Sequence, residues 1–174
     1  MKKLILFILI TTLSYAQETK FTFKKEGFTD YVVTEVSGKQ SEIYSKTVNW
    51  IKETYKNPDE VIKMSIENEK VRFQGLKSNF NCYKAMGSSI CSDAIYTIEV
   101  SFKDGKYKFD VIELVITANG NSFTPDLNDL SIYYKKNGEL AKSSESVQAS
   151  YENLFNDLNE GLKLYVTGNK KSDW

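Results

Sequence analysis

The chain has 174 residues, with 23 basic and 23 acidic side chains, no histidine and two cysteines. The lack of histidine excludes histidine-dependent triads and most zinc sites, and the balanced charge removes any bulk attraction for nucleic acid or anionic membranes. Eleven tyrosines and ten phenylalanines against two prolines describe a packed domain, not a disordered spacer.

The opening MKKLILFILITTLSYAQ has the form of an export signal. Lys2 and Lys3 make a basic start, Leu4 to Leu13 an apolar stretch too short to span a bilayer comfortably, and Ser14 and Ala16 are the small residues a signal peptidase reads. Cleavage is expected between Ala16 and Gln17; the alternative is an uncleaved N-terminal anchor. No cysteine lies near the junction, so a lipid anchor is not indicated. Cleavage removes two basic residues and no acidic one, leaving a mature chain with two excess negative charges. No later stretch approaches about 18 apolar residues, so no integral membrane segment is expected after cleavage. The expected location is the periplasm or the exterior, with residues 17–168 as one domain and 169–174 as a short tail.

Phe21 to Lys25 reads as an edge strand or a loosely held arm, broken at Gly27. Asp30 to Val36 (DYVVTEV) reads as the first secure strand, ended by Ser37-Gly38. Ser41 to Lys56 predicts an amphipathic helix, with Tyr44, Val48, Ile51 and Tyr55 in line and Ile43, Thr47, Trp50 and Thr54 widening the stripe. Ser37 with Gln40 has the spacing of a capping box, and Ser41 is an equally good N-cap. Asn57-Pro58 stops the helix. Val61 to Glu67 and Lys70 to Leu76 each alternate apolar with polar residues, and Asn68-Glu69 makes a tight turn between them. Ser78 to Ser92 reads as a loop with a Gly87-Ser88-Ser89 tip. It contains both cysteines, Cys82 and Cys91. In an exported protein this isolated pair reads as a disulfide; the other reading, two free or catalytic thiols, has no histidine to activate a thiolate.

Ala94 to Ala118, AIYTIEVSFKDGKYKFDVIELVITA, is the strongest fold signal in the chain. Asp104-Gly105 between two alternating runs predicts a two-residue hairpin with a type I′ turn. Its register places Phe102 opposite Tyr107, Val100 opposite Phe109, Ile98 opposite Val111 and Tyr96 opposite Glu113, all on one mostly apolar face. The other face pairs Ser101 with Lys108, Glu99 with Asp110, Thr97 with Ile112 and Ile95 with Leu114. Glu99 opposite Asp110 is a like-charge pair. It suggests either a cation-binding spot or two solvated carboxylates relaxed by Lys108, and two carboxylates fall short of the about six to eight oxygens calcium collects. Asn119 to Ser143 starts as loop, and Leu130, Ile132, Tyr133 and Tyr134 form a short strand or lie over the apolar end of the outer face near Ile95, Ile112 and Leu114. Ser144 to Val166 predicts a long helix aligned on Val147, Tyr151, Leu154, Leu158, Leu162 and Tyr165, with Gly161 marking a kink or a close approach.

The order β-α-β-β-β-β-α predicts an α+β domain of two layers, an antiparallel sheet with two helices on one face. Gly38 and the helix EIYSKTVNWIKETY, in which Tyr44 and Trp50 sit six apart, carry a family resemblance that continues through VIKMSIENEKVRFQG and the KDGKYKF turn. The chain resembles exported Bacteroidota proteins grouped as a domain of unknown function with a TBP-like (TATA-binding-protein-like) fold, which often end in an acidic residue and tryptophan, as Asp173-Trp174 do here. The resemblance implies a fold and a compartment and assigns no catalytic residues. It does not imply DNA binding, because function sits in sites and not in folds.

The functional expectation is a non-catalytic envelope protein that binds a protein partner or small ligand, and no nucleic acid, through the sheet face away from the helices. Thr97, Glu99, Ser101, Lys108, Asp110 and Ile112 are the candidate face. No cofactor and no metal ligands are expected. The alternatives are an assembly protein dimerising through sheet edges and, more remotely, a hydrolase built on a carboxylate pair.

Overall fold

The computed structural model describes residues 20–85 and 87–168. The leader expected over 1–16 and the tail expected over 169–174 lie outside them.

The arm expected near the N-terminus is a small hairpin of its own, Phe23–Lys24 (β1) and Gly27–Phe28 (β2), closed by Phe23 opposite Phe28. Phe21, Phe23 and Phe28 are all buried, and Phe21 and Phe28 stack with ring centroids 5.7 Å apart. Tyr31–Glu35 (β3) follows and leads to the helix Gln40–Thr54 (α1). A short turn of helix, Pro58–Val61 (α2), uses Pro58 in the first helical turn, where its missing N–H costs nothing. Four strands then run in succession: Ile62–Ile66 (β4), Lys70–Ala85 (β5), Ser88–Lys103 (β6) and Lys106–Ala118 (β7). Asn121–Phe123 (β8) and the long helix Glu145–Val166 (α3) complete the fold. The main sheet has the order β3-β7-β6-β5-β4, with β8 beside the far end of β7, and every pairing is antiparallel.

One face of this sheet carries the core. Val71, Phe73, Ile98, Val100, Phe109 and Leu114 are fully buried there, against Ile43, Trp50 and Ile51 of α1 and Tyr151, Phe155 and Leu162 of α3. The helix stripes sit slightly off the expected lines. Thr54 is exposed on α1, and Asn159 joins the buried line of α3. Asn159 is the one polar residue of that stripe because it has partners. Its Nδ2 donates to Thr34 Oγ1 at 3.2 Å, and its Oδ1 accepts from the Tyr107 hydroxyl at 3.0 Å. Gly161 neither breaks nor ends α3; it lies over the Trp50 indole.

Four expectations are corrected. First, Ser78 to Ser92 is not a loop: β5 and β6 continue through it as one hairpin, with Cys82 directly opposite Cys91. The apolar residues of this stretch do not alternate evenly, and an irregularity between Lys77 and Asn81, with Asn79 at φ 52°, interrupts the strand pattern. Second, the hairpin register holds from the turn to Ile98–Val111 and then slips by one, so that Thr97 faces Glu113, Tyr96 faces Leu114 and Ile95 faces Val115. Ile112 is the extra residue of a β-bulge, and the slip turns Leu114 and Ile116 into the core, where an unbroken register would have left Leu114 outside. Burying these two aliphatic side chains is the physical reason for the bulge. Third, neither expected cap starts α1. Lys39 is the N-cap and makes no side-chain cap bond; instead Asp104 Oδ1 in the hairpin turn accepts the Gln40 N–H at 2.8 Å while Oδ2 accepts from Lys39 Nζ at 3.2 Å. A carboxylate suits the positive end of a helix, whichever part of the chain supplies it. Fourth, in that turn Gly105 takes a positive φ of 77° and Asp104 does not, so the two-residue turn is not type I′.

Candidate functional site: the open face of the sheet

The strand order decides which side chains meet on the face opposite the helices. Because β5 lies beside β6, Arg72 stands opposite Glu99, and because β7 lies on the other side, Asp110 stands opposite it too. Tyr31 of β3 completes the row. Arg72 donates to Glu99 Oε2 from both Nη2 (2.7 Å) and Nε (3.2 Å), and Lys70 donates to Oε1 at 3.4 Å. Glu99 is only 8 % exposed. Burial alone would push its carboxyl up, but the Arg72 and Lys70 hydrogen bonds and charges outweigh it and hold the carboxyl below its ordinary value. Asp110 is paired with Lys108, whose ammonium also lies 5.0 Å from the centre of the Tyr31 ring. The like-charge pair is thus neutralised from both sides by cations, and no cluster of three or more metal-ligating side chains occurs among the described residues.

Thr97, Glu99, Ser101, Lys108 and Asp110 all share this face, as expected from the alternation. Thr97 accepts from Gln74 Nε2 at 3.3 Å and reaches toward Glu113 Oε2 at 3.5 Å. Ile112 sits at the bulge and is 43 % exposed. Beyond it runs an apolar row across three strands, Leu76 opposite Ile95 and Ile95 opposite Val115. Leu76 is 61 % and Ile95 39 % exposed. Leu130 to Tyr134 does not cover this row. Leu130 is buried against the N-terminal hairpin, its N–H bonded to the Lys25 carbonyl at 3.2 Å, while Tyr133 and Tyr134 pack on the Phe23 ring. What reaches the edge of the face is the preceding segment. It borders a groove of about 520 Å³ together with Arg72, Thr97, Ile112 and Glu113, where β7 is flanked by neither β3 nor β8.

The two cysteines stand apart from this cluster. Cys82 and Cys91 form a disulfide across the far end of the β5–β6 hairpin, with Cα atoms 4.1 Å apart. Arg72, Lys70 and Glu113 are the face residues that sequence reasoning missed. Alternation in KVRFQGL puts Lys70 and Arg72 together on one side of their strand, but only the strand order brings them to Glu99; Glu113 was expected on the apolar face opposite Tyr96, and only the bulge turns it to Thr97.

A two-layer α+β domain with an antiparallel sheet bare on one side is therefore the class that the fold and site define. Residues 28–117 match the family described as a domain of unknown function (DUF4468) with TBP-like fold, and the chain belongs to that family. It is similar in structure to a DUF4468 family protein from Bacteroides ovatus, with a TM-score of 0.65 at 14% identity, covering 84% of this chain and 90% of that one. It is also similar to a TBP-like protein from Parabacteroides distasonis, with a TM-score of 0.51 at 15% identity, covering 76% of this chain and 90% of that one. No curated protein matches the chain. At these identities the likeness concerns the fold alone.

Proposed function

We propose that the protein is an exported, non-catalytic binding module whose open sheet face is its working surface. The observation that carries this reading is the apolar row Leu76–Ile95–Val115, with Leu76 and Ile95 exposed and Val115 half-buried, together with the exposed Ile112 at the bulge, on a face that neither the helices nor the 119–143 segment cover. Exposed aliphatic side chains rimmed by charge are what an interaction surface presents. The Cys82–Cys91 disulfide is compatible with export, and no described helix is long and apolar enough to cross a membrane.

The charge chemistry speaks against a carboxylate-pair hydrolase, because an acid catalyst needs a raised pKa and that of Glu99 is lowered. Dimerisation through sheet edges has less support than face binding. Edge strand β4 spans five residues, carries Lys63 and is interrupted by a register shift between Ile62 and Met64, all features that discourage edge pairing.

Ile112→Asp tests the reading. An unchanged melting temperature together with loss of an envelope partner captured by the wild type supports it. A collapse in stability shows Ile112 to be part of the packing, and an undiminished capture removes the face from the account.

A further inference from the structure

The open face is not uniform. At the end nearest the Asp104-Gly105 turn, the register sets Lys103 opposite Lys106 and Ser101 opposite Lys108. Lys70 stands on the other side of Ser101. Lys70 and Lys108 are tied to Glu99 and Asp110. Lys103 and Lys106 have no carboxylate within ion-pair distance among the described residues, although Glu35 is the register partner of Lys106 on its other side. Two like charges directly opposite in a ladder are destabilising. This pair is therefore a contact that folding does not require and that a bound anion would relieve.

The same lysines line a hollow of about 410 Å³ with Tyr31, Val33 and Ser101. Lys108 is held in place there by Asp110 and by the Tyr31 ring. The volume lies in the range of small-ligand sites, roughly 300–1,000 Å³, and is small for a macromolecular groove. The donors are ammonium groups with the Ser101 and Tyr31 hydroxyls. A planar carboxylate is best matched by the two-pronged guanidinium, which the hollow lacks. Several point charges around a hydroxyl suit a tetrahedral, doubly charged phosphate with its extra oxygens. Tyr31 and Val33 supply an apolar floor beside the charges.

We infer that this hollow binds a small phosphomonoester, its phosphate held by Lys103, Lys106 and the Ser101 hydroxyl and its apolar body lying on Tyr31 and Val33. The inference rests on the reading of the open face and narrows it to one ligand class.

The test is a titration of the purified protein with phenyl phosphate, followed by amide chemical shifts. Saturable shifts at Tyr31–Val33 and Ser101–Lys108 are expected, weakened about tenfold or more in Lys103→Ala/Lys106→Ala. That variant should fold and melt at or above the wild-type temperature, because the like-charge pair is gone. Inorganic phosphate should bind more weakly than phenyl phosphate, and Lys135→Ala/Lys136→Ala should change nothing. Absent or scattered shifts, equal binding by the Lys103/Lys106 variant, or equal binding of inorganic phosphate would overturn the inference. So would binding to phosphatidylcholine vesicles containing phosphatidic acid without binding of phenyl phosphate, which points to a membrane surface instead. Failure here together with a lost partner in Ile112→Asp would leave the open-face reading standing, so the two are separable.

Discussion

Gly75→Ala is expected to be among the most damaging single-methyl changes in the sheet. Gly75 lies directly opposite Tyr96, whose ring crosses over it: a Cβ there would fall 2.3 Å from the Tyr96 hydroxyl oxygen, 2.4 Å from Cζ and 2.7 Å from Cε2. The ring has no room to retreat, since Tyr96 is buried and its hydroxyl is hydrogen-bonded to that of Tyr55 at 2.8 Å. Burial pushes both of these tyrosine pKa values up, so the pair stays protonated. Displacing the ring breaks that bond, at about 1–3 kcal/mol for buried hydroxyls left unpaired, and crowds the core at about 1–3 kcal/mol. The stiffer unfolded chain returns only about 0.4–1 kcal/mol. The net expectation is a loss of about 3 kcal/mol, or about 6–12 °C in melting temperature for a domain of this size. Thermal and urea unfolding of Gly75→Ala, Tyr96→Phe and the double variant measure it. Because one hydrogen bond is lost in either single change, the two losses should fall short of additive by about 1 kcal/mol. A Gly75→Ala melt within a degree of wild type, or strict additivity, would refute the reasoning.

Glu99→Gln should cost about 1 kcal/mol at neutral pH, near the low end for a charged hydrogen-bond network because Arg72 and Lys70 are still partly solvated. The folded-state carboxyl is held below its ordinary value, so its contribution is present above the unfolded value of about 4.3 and disappears as pH falls through the folded one. Denaturant midpoints of the two proteins should therefore converge in acid, and a gap that widens there contradicts the assignment. Replacing both Cys82 and Cys91 with serine should lower stability by up to about 2.7 kcal/mol, the entropy of the short loop the bond closes. Amide exchange should rise at residues 81–84 and remain slow at Val100 and Phe109, and uniform loss of protection would place the disulfide's effect in the core instead.

The pattern of the chain was most readable where burial repeats with a fixed period. The Asp104-Gly105 hairpin, its first six cross-strand pairs and both long helices follow from alternation and helical spacing alone, because one side of each element is apolar. The bulge at Ile112 escaped because apolar residues stand side by side in Val111-Ile112 and again in Leu114-Val115-Ile116, so alternation cannot choose between two registers; only the burial of Leu114 and Ile116 in the core does. The outer hairpin from Ser78 to Ser92 escaped for the opposite reason. Apart from Phe80, which is buried against Tyr151, its described residues are exposed or half-buried, so no repeated buried position imposes a period, and beyond Phe80 the backbone ladder and the disulfide hold it. Asp104 as the cap of α1 lies 64 residues from Gln40 in the chain, beyond any local signal. The candidate face itself was legible in membership but not in partnership: Thr97, Glu99, Ser101, Lys108 and Asp110 were placed together, while Arg72 and Lys70 required the strand order.

The central claim is that the uncovered sheet face makes the protein's contacts in the cell. Its most direct test is a photoreactive phenylalanine analogue placed at Ile112, and separately at Leu164 on α3, which is about equally exposed on the helical side. Both proteins would be irradiated in intact cells. A discrete adduct from position 112 and none from position 164 is the predicted result. Equal adducts from both positions, or an adduct from 164 alone, would contradict the account and move the working surface to the helical layer.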